Sequence, residues 1–281
     1  MKIPSDLFEN KQLKLSPLLI KSYIDKLNVL GKFEESKINM KGSIGGNGEN
    51  EAIKHFVGRF PNGAVRSQYI VINPDGDLEH ISSQLATVFS DKKLRILYLP
   101  CGSGAGLIGL LTTFFTLRKH RYYPTLPLNI FEKMMNSILK DFLTVGIEIS
   151  YSTQQWDAER TLDTMKLMHD LFNNSADEYF IFLSNFSGEA GRHSKFDNSF
   201  RTILEYVITK KQVSTLLWIE PSSDKAITLL GRIKRILDYI GSIFIDNSIP
   251  VKEFKFLHPT SGLELRGHIS GLRLIIDGQD R

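Results

Sequence analysis

The feature that most constrains this chain is a short apolar segment that runs through closely spaced glycines into a second apolar segment. Residues 95–99 have the composition of a buried strand, residues 102–106 place glycines at alternate positions, and residues 107–111 are apolar again. Glycine permits positive φ and lets the backbone approach a ligand closely. The first N–H groups of a following helix have no partner inside that helix and can face such a ligand. The junction therefore predicts an α/β sheet that holds a ligand where this strand ends.

Strand-length and helix-length apolar segments alternate after residue 94. Short connections between such units favour a parallel, doubly wound sheet. Only a loop with Pro259 and Gly262 separates the last two strands, which favours an antiparallel hairpin. The predicted fold class is α/β, a Rossmann-like, seven-stranded and mainly parallel sheet with a C-terminal antiparallel hairpin. The strands are predicted at 96–99, 128–131, 147–151, 179–183, 215–219, 253–257 and 272–276, and the helices at 107–117, 133–143, 161–171, 200–209 and 225–237.

Residues 1–90 are predicted to form an N-terminal helical extension or lid, and residues 91–281 the main domain. Apolar residues at helical spacing predict a helix over 15–30, a second near residue 50 and a third over 78–89, with a short strand at 69–72. The glycine-rich segment at 41–48 predicts a flexible linker or a mobile lid.

Composition limits the partners and the compartment. The chain has 281 residues, 42% of them hydrophobic, and a net charge of +4, which permits an anionic partner without requiring one. The single cysteine, Cys101, excludes an internal disulfide and a cysteine-cluster metal site, and it suggests a reducing compartment. No histidine pair has zinc-ligand spacing, no apolar run reaches about 18 residues, and no signal-peptide core is seen. We expect a cytoplasmic protein with no metal site and no membrane partner.

Seven strands, five βα units and a terminal hairpin resemble the class I S-adenosylmethionine-dependent methyltransferase fold over about residues 94–277. In that family the first strand ends in an acidic residue followed by alternating glycines. Gly102 and Gly104 match the second and third of those glycines, whereas Tyr98 replaces the acidic residue and Pro100 the first glycine. The resemblance implies S-adenosylmethionine as cofactor, with an altered contact to its amino-acid end.

Two acidic residues stand where the resemblance implies contacts to the nucleoside. Glu132 follows the second strand, where a carboxylate accepts hydrogen bonds from ribose hydroxyls, although a helix N-terminus also favours a carboxylate. Asp157 follows the third strand and resembles the acceptor for the adenine amine, with Trp156 beside it to cover the adenine. The alternative for Asp157 is a helix cap.

The loop after the fourth strand lies, by the resemblance, beside the transferred methyl group. It lacks the Asn/Asp-Pro-Pro-aromatic sequence of amino-group methylation. Glu189 and His193 are its nearest titratable groups, and a histidine can take a proton near neutral pH, although a solvated loop histidine is the alternative. Glu220 ends the fifth strand on the acceptor side.

The resemblance also places a segment with Arg59, Arg66 and Gln68 over the cofactor. In all, it implies cofactor contacts from Tyr98, Pro100, Cys101, Gly102, Ser103, Gly104, Glu132, Asp157 and Ser184, and catalytic roles for Asn185, Glu189 and His193.

The predicted function is methyl transfer from S-adenosylmethionine to an unidentified acceptor, which can be nucleic acid, protein or a small molecule. Basic and aromatic residues at 118–123 suit a nucleic-acid contact, or the end of a helix, which favours cations. One alternative is an inactive methyltransferase-like scaffold or binding subunit, favoured by Tyr98 and Pro100. Another is a dinucleotide-dependent oxidoreductase, which expects Gly-x-Gly-x-x-Gly instead of the spacing found here.

Overall fold

The computed structural model describes residues 3–40, 49–89, 93–99, 102–119, 128–129, 156–186, 196–221, 223–240 and 251–276. These ranges contain eight strands and nine helices. None of the helices in these ranges combines the length and the hydropathy that a bilayer crossing requires.

All eight strands belong to one sheet. Its strands are β1 Phe8–Glu9, β2 Gln12–Leu13, β3 Leu94–Leu99, β4 Leu128–Asn129, β5 Glu178–Ser184, β6 Ser214–Glu220, β7 Val251–Leu257 and β8 Glu264–Ile276. Their order across the sheet is β1-β2-β7-β8-β6-β5-β3-β4. The four adjacent strands β4, β3, β5 and β6 are parallel to one another. The α/β class and these parallel strands are as the sequence predicts.

The expectation of a mainly parallel sheet is wrong, because the sheet is mixed. Strand β8 is antiparallel to both β6 and β7, and β1 is antiparallel to β2. Only residues 258–263 join β7 to β8. A connection this short closes a hairpin but cannot make the crossover that a parallel pair needs. The predicted C-terminal hairpin is confirmed, and its second strand inserts between β6 and β7.

The helices lie on both faces of the sheet. They are α1 Pro17–Val29, α2 Phe33–Ile38, α3 Glu49–Ile72, α4 Glu79–Ser82, α5 Leu85–Val88, α6 Ala105–Lys119, α7 Thr161–Phe172, α8 Phe196–Lys210 and α9 Asp224–Ile240. The predicted helix at 78–89 is split in two, and its second part starts after Gln84, whose φ of 65° is left-handed. The predicted strand at 147–151 and helix at 133–143 lie outside the described residues.

The predicted strand at 69–72 is wrong, because these residues form the last turn of α3. All four are buried, and the ring of Tyr69 stacks on Phe254 of β7 with centroids 4.9 Å apart. An aromatic residue followed by β-branched residues has strand propensity, but packing of α3 on the sheet overrides it.

Two clusters of buried residues lie on opposite faces of the sheet. The N-terminal face carries α1, α3 and α6, and its core joins side chains from residues 7–89 to side chains of β3, β5 and β6. The C-terminal face carries α7, α8 and α9, whose apolar side chains surround Trp218 of β6. Residues of the predicted extension therefore share a core with β3 and α6. The division of the chain at residue 90 stays a prediction.

Candidate functional site

In the parallel part of the sheet, which consists of β4, β3, β5 and β6, the chain order of the strands reverses at one point, and a crevice is expected there. The first strand of this part, β3, has β4 on one side and β5 on the other. In open α/β sheets, ligands bind outside the carboxyl ends of the strands at such a switch point. The groups at this edge come from the ends of three strands, with Tyr98 in β3, Ser184 in β5 and Glu220 in β6.

The glycine turn lies directly beyond β3, as the sequence predicts. Gly102 and Gly104 have φ of 46° and 77°, which is the left-handed region, and α6 begins at Ala105. A Cβ on Gly102 would meet no atom of the described residues within 4 Å, so none of them fills the space at that position. The Ser103 Oγ is shielded from solvent and has no hydrogen-bond partner in the described part of the chain. The turn thus offers a shielded hydroxyl beside an open backbone position.

The end of β3 is tied to the end of β5 through two hydroxyl groups. The Tyr98 Oη and the Ser184 Oγ are 2.7 Å apart, and both side chains are buried. The Tyr98 ring stacks on Phe182, with centroids 5.0 Å apart. A Cβ on Gly106 would lie 2.7 Å from the Tyr98 Oη and 2.6 Å from the Ser184 Oγ. Gly106 is therefore required for close packing of α6 on this pair, whereas Gly102 is the exposed position of the turn and Gly104 is buried.

A buried arginine crosses the same edge from α3. Arg66 donates from Nε to the carbonyl oxygen of His268 in β8, at 2.8 Å, and from Nη1 to Asn185 Oδ1. Burial lowers the pKa of Arg66 to about 10; attraction to the buried Glu220 carboxylate opposes this shift, and repulsion from Arg59 adds to it. Asn185 follows β5 with a left-handed φ of 57°. Sequence reasoning named Arg66 and Asn185 separately but missed their contact, because they are 119 positions apart.

Glu220 joins the ends of β5 and β6. Its side chain is fully buried, and Oε1 accepts hydrogen bonds from the Phe186 backbone N–H and from Trp218 Nε1, both at 2.7 Å. This carboxylate holds the residue that follows Asn185 against the end of β6. A role on the acceptor side stays a prediction for Glu220.

Asp157 and Trp156 lie at the start of the segment that leads into α7. The exposed Asp157 carboxylate accepts a hydrogen bond from the Glu159 backbone N–H at 2.9 Å, which closes a turn. Trp156 donates to Thr164 Oγ1 at 2.9 Å, and its ring lies 5.7 Å from that of Phe186. Arg160, not Asp157, stands at the N-cap position of α7, and its side chain makes no capping hydrogen bond. An adenine contact stays a prediction for Asp157, whereas the contact with Phe186 brings Trp156 beside the loop after β5.

The other predicted site residues lie outside the described ranges. They are Pro100, Cys101, Glu132, Glu189 and His193, and the glycine-rich segment at 41–48 and most of the basic run at 118–123 lie outside as well. The structure brings together Tyr98, Ser184 and Asn185, with the glycine turn at the end of the same strand as Tyr98. Among the described residues, no group of three or more His, Cys, Asp or Glu side chains is arranged to hold a metal ion.

Comparison with known proteins gives only distant structural likeness. No family model matches the chain, and no curated protein matches it by sequence. A structure from work on the conversion of a disulfide bond into a thioacetal group during echinomycin biosynthesis is similar at 12% identity and a TM-score of 0.34, over 72% of this chain and 82% of that one. Human N-acetylserotonin methyltransferase in complex with S-adenosylmethionine is similar at 13% identity and a TM-score of 0.28, over 95% of this chain and 73% of that one. Likeness at this level carries no functional argument.

Proposed function

We propose that the chain binds S-adenosylmethionine at the carboxyl end of β3 and transfers its methyl group to an acceptor. The observation that carries the proposal is the left-handed glycine turn of Gly102 and Gly104, which leads from β3 into α6 beside the switch point of the sheet. Such a turn presents backbone N–H groups to a ligand without side chains in the way.

The groups around the turn suit a nucleoside that carries an amino acid. Open space at Gly102 leaves room beside the backbone, and the unpartnered hydroxyl of Ser103 can donate or accept a hydrogen bond. The partly buried Trp156 ring, which lies against the buried Phe186, provides an apolar face, and the exposed Asp157 carboxylate next to it in the chain can accept from an adenine amine. These features support binding of the whole cofactor along the carboxyl edge.

S-adenosylmethionine supplies, when bound, a methyl group already activated on a sulfonium. The chain must then orient the two reactants in line and exclude water. Asn185 suits a positioning role, because its left-handed backbone is held by a hydrogen bond from its N–H to the carbonyl oxygen of Ile219, at 3.1 Å. Glu189 and His193 follow in the same loop sequence and are proposed to accept the proton that an acceptor hydroxyl or amine loses. The acceptor can be nucleic acid, protein or a small molecule.

A second candidate is a binding subunit of the same fold without turnover. The contact between the hydroxyls of Tyr98 and Ser184 favours it, because each satisfies the other at the position where the resemblance implies an acidic group for the cofactor. This candidate predicts a stable protein with no affinity for the nucleoside.

The test is isothermal titration of the wild-type chain with S-adenosylmethionine, S-adenosylhomocysteine and NAD. Gly102→Arg fills the open position of the turn, and Gly76→Arg is the matched control, since both glycines have positive φ and neither has an atom near its Cβ position. We expect wild type and Gly76→Arg to bind both adenosyl ligands, and Gly102→Arg to lose at least tenfold in affinity, about 1.4 kcal/mol. Equal binding by the two variants would place the ligand elsewhere. Binding of NAD alone would favour the oxidoreductase, and binding of none would favour the subunit without turnover.

A further inference from the structure

The junction between β5 and the loop that follows it is held from both faces of the sheet. Asn185, the first residue after β5, has a left-handed φ of 57°. A non-glycine residue persists in this region where the surrounding contacts over-determine it. On the N-terminal face, Arg66 of α3 donates to the Asn185 Oδ1 and to the carbonyl oxygen of His268. On the C-terminal face, Glu220 accepts from the Phe186 backbone N–H at 2.7 Å.

The two side chains that hold this junction are buried and carry opposite charges. Glu220 shares a face of β6 with Trp218, because side chains two positions apart in a strand point the same way. Arg66 is 9% exposed and Glu220 is 0% exposed. Attraction to Glu220 is the largest charge effect on the pKa of Arg66, and it opposes the lowering that burial causes. A buried charge is costly unless it is compensated, so each side chain lowers the cost of burying the other.

The position of the junction determines two parts of the candidate site. The Asn185 Nδ2 donates to the Ser184 Oγ at 3.4 Å, beside the end of β3. The Phe186 ring lies 5.7 Å from the ring of Trp156. A displacement of the junction would therefore move the asparagine and the aromatic wall together. Displacements of about 1 Å are enough to impair a site that depends on orientation.

We propose that Arg66 and Glu220 are positioning residues, whose opposite charges fix the Asn185–Phe186 junction from opposite faces of the sheet. Arg66 sets the side chain of Asn185, and Glu220 sets the backbone of Phe186 and, through the Phe186 ring, the position of Trp156. The proposal rests on the proposed function and deepens it, since it names the residues that hold the acceptor side of that site.

The first test measures whether the two charges act together in the ligand-free protein. Glu220→Gln removes the charge and keeps an oxygen that can accept from Phe186 and Trp218, and Arg66→Met removes the guanidinium. Each single variant leaves one buried charge uncompensated, whereas the double variant leaves none. In urea denaturation, the double variant should lose about tenfold less in its folding equilibrium constant than the product of the two single losses.

Independent losses in the two single variants would overturn the joint action of Arg66 and Glu220. Arg66→Gln, which is neutral but keeps an N–H donor, takes the place of Arg66→Met in every test if the methionine variant does not fold.

The second test asks whether Arg66 acts on the aromatic wall through the junction. The chain has two tryptophans, Trp156 and Trp218, so its NMR spectrum contains two indole N–H signals. We expect Arg66→Met to shift the Trp156 signal, although Arg66 lies on the other face of the sheet. The matched control is Arg273→Met, because Arg273 is a half-buried arginine that donates to Ser83 and to the Ile81 carbonyl oxygen instead. It should leave the Trp156 signal in place, and an unchanged signal in Arg66→Met would overturn the positioning role.

Isothermal titration with S-adenosylhomocysteine separates this proposal from the proposed function. We expect Arg66→Met and Glu220→Gln each to bind about 3- to 10-fold more weakly than wild type, and Arg273→Met to bind as tightly. Equal affinity in all four proteins would overturn the role of the pair at the site and leave the proposed function standing. No binding by wild type would overturn the proposed function, and the positioning of the junction would then be decided by the two ligand-free measurements.

Discussion

The two faces of the sheet reach the same degree of burial by different means. On the C-terminal face, large apolar side chains of α8 and α9 pack around Trp218, with Phe196 and Phe200 at centroid distances of 5.6 and 5.4 Å from its ring. On the N-terminal face, the core also encloses Arg66 and Gln68 of α3. The first face is built mainly from ring packing and satisfies its buried Glu220 through Trp218 itself, whereas the second places a charged and an amide side chain of α3 in its core, where they need specific partners.

Helix α6 shows how the N-terminal face satisfies its polar groups. It is buried along its described side chains, yet it carries three threonines. Thr112 and Thr113 donate to carbonyl oxygens of the preceding turn, at 2.8 and 2.6 Å. Gln68 of α3 likewise donates to the carbonyl oxygens of Leu7 and Lys14. The threonines are thus satisfied within α6 itself, whereas the hydrogen bonds of Gln68 tie α3 to the segment of residues 7–14.

The largest expected effect concerns the crossing of α3 and α6. A Cβ on Gly109 would lie 2.2 Å from the carbonyl oxygen of Ala64, so Gly109→Ala forces the two helix backbones apart. We expect a loss of about 2 to 3 kcal/mol in the free energy of unfolding, measured by urea denaturation, as for an overpacked core.

The matched control for Gly109→Ala lies on the C-terminal face. A Cβ on Gly231 in α9 would meet no atom within 4 Å, so Gly231→Ala should stabilise the protein by about 0.5 to 1 kcal/mol through helix propensity. A loss of stability in Gly109→Ala and a gain in Gly231→Ala would show that the N-terminal face, unlike the C-terminal face, depends on the close approach of two helix backbones. The same sign for both substitutions would remove that distinction between the faces.

A buried histidine gives the N-terminal face a dependence on pH. His258 lies in the turn between β7 and β8 and is 1% exposed, and burial lowers its pKa to about 4. Its Nδ1 is 3.2 Å from the Ser261 Oγ, and the same turn contacts Ser36 of α2 through Thr260. Above about pH 6.5 the imidazole is neutral in the folded and unfolded states. As the pH falls from 6.5 towards 4, only the unfolded state binds the proton, so stability is lost.

We expect this histidine to cost about 2 kcal/mol of stability between pH 7 and pH 4.5. His258→Asn keeps a polar group near the Nδ1 position and removes the titration, so the difference between variant and wild type should shrink as the pH falls. Urea denaturation at several pH values measures that difference. His169→Asn, at an exposed position of α7, controls for the substitution itself. Parallel pH curves for wild type and His258→Asn would contradict the assignment.

The faces also differ in how far the sequence predicts them. The apolar runs of β5 and β6 and the strong helical periodicity of α7 and α9 place these elements within a few residues of their observed bounds. The end of α3 was misassigned as a strand, because local propensity there opposes the packing that decides its structure. Strands β1 and β2 have two residues each, which is too short for a period of two to be seen.

Only those features of the site that are encoded by residues close together in the sequence were predictable. The positive φ of Gly102 and Gly104 follows from the glycine spacing that precedes an apolar helix. The contacts of Asn185 with Arg66 and of Tyr98 with Ser184 join residues 119 and 86 positions apart. Side-chain contacts over such separations depend on the register of the whole sheet. A sequence read segment by segment contains no sign of them.

The smallest expected effect concerns the hydroxyl pair that closes the N-terminal face at the site. Tyr98→Phe and Ser184→Ala each remove the hydrogen bond between the two buried hydroxyls, so each should cost about 1 kcal/mol. The double variant should cost less than the sum of the two, because that hydrogen bond is lost only once. Urea denaturation of the four proteins gives this coupling energy, and additive losses would show that the two hydroxyls do not interact. Since Asn185 also donates to Ser184, the same four proteins, titrated with S-adenosylhomocysteine, report whether this pair holds Asn185 in position for the proposed cofactor site. Unchanged affinity in all four proteins would show that the hydroxyl pair contributes to the stability of the N-terminal face and not to ligand binding.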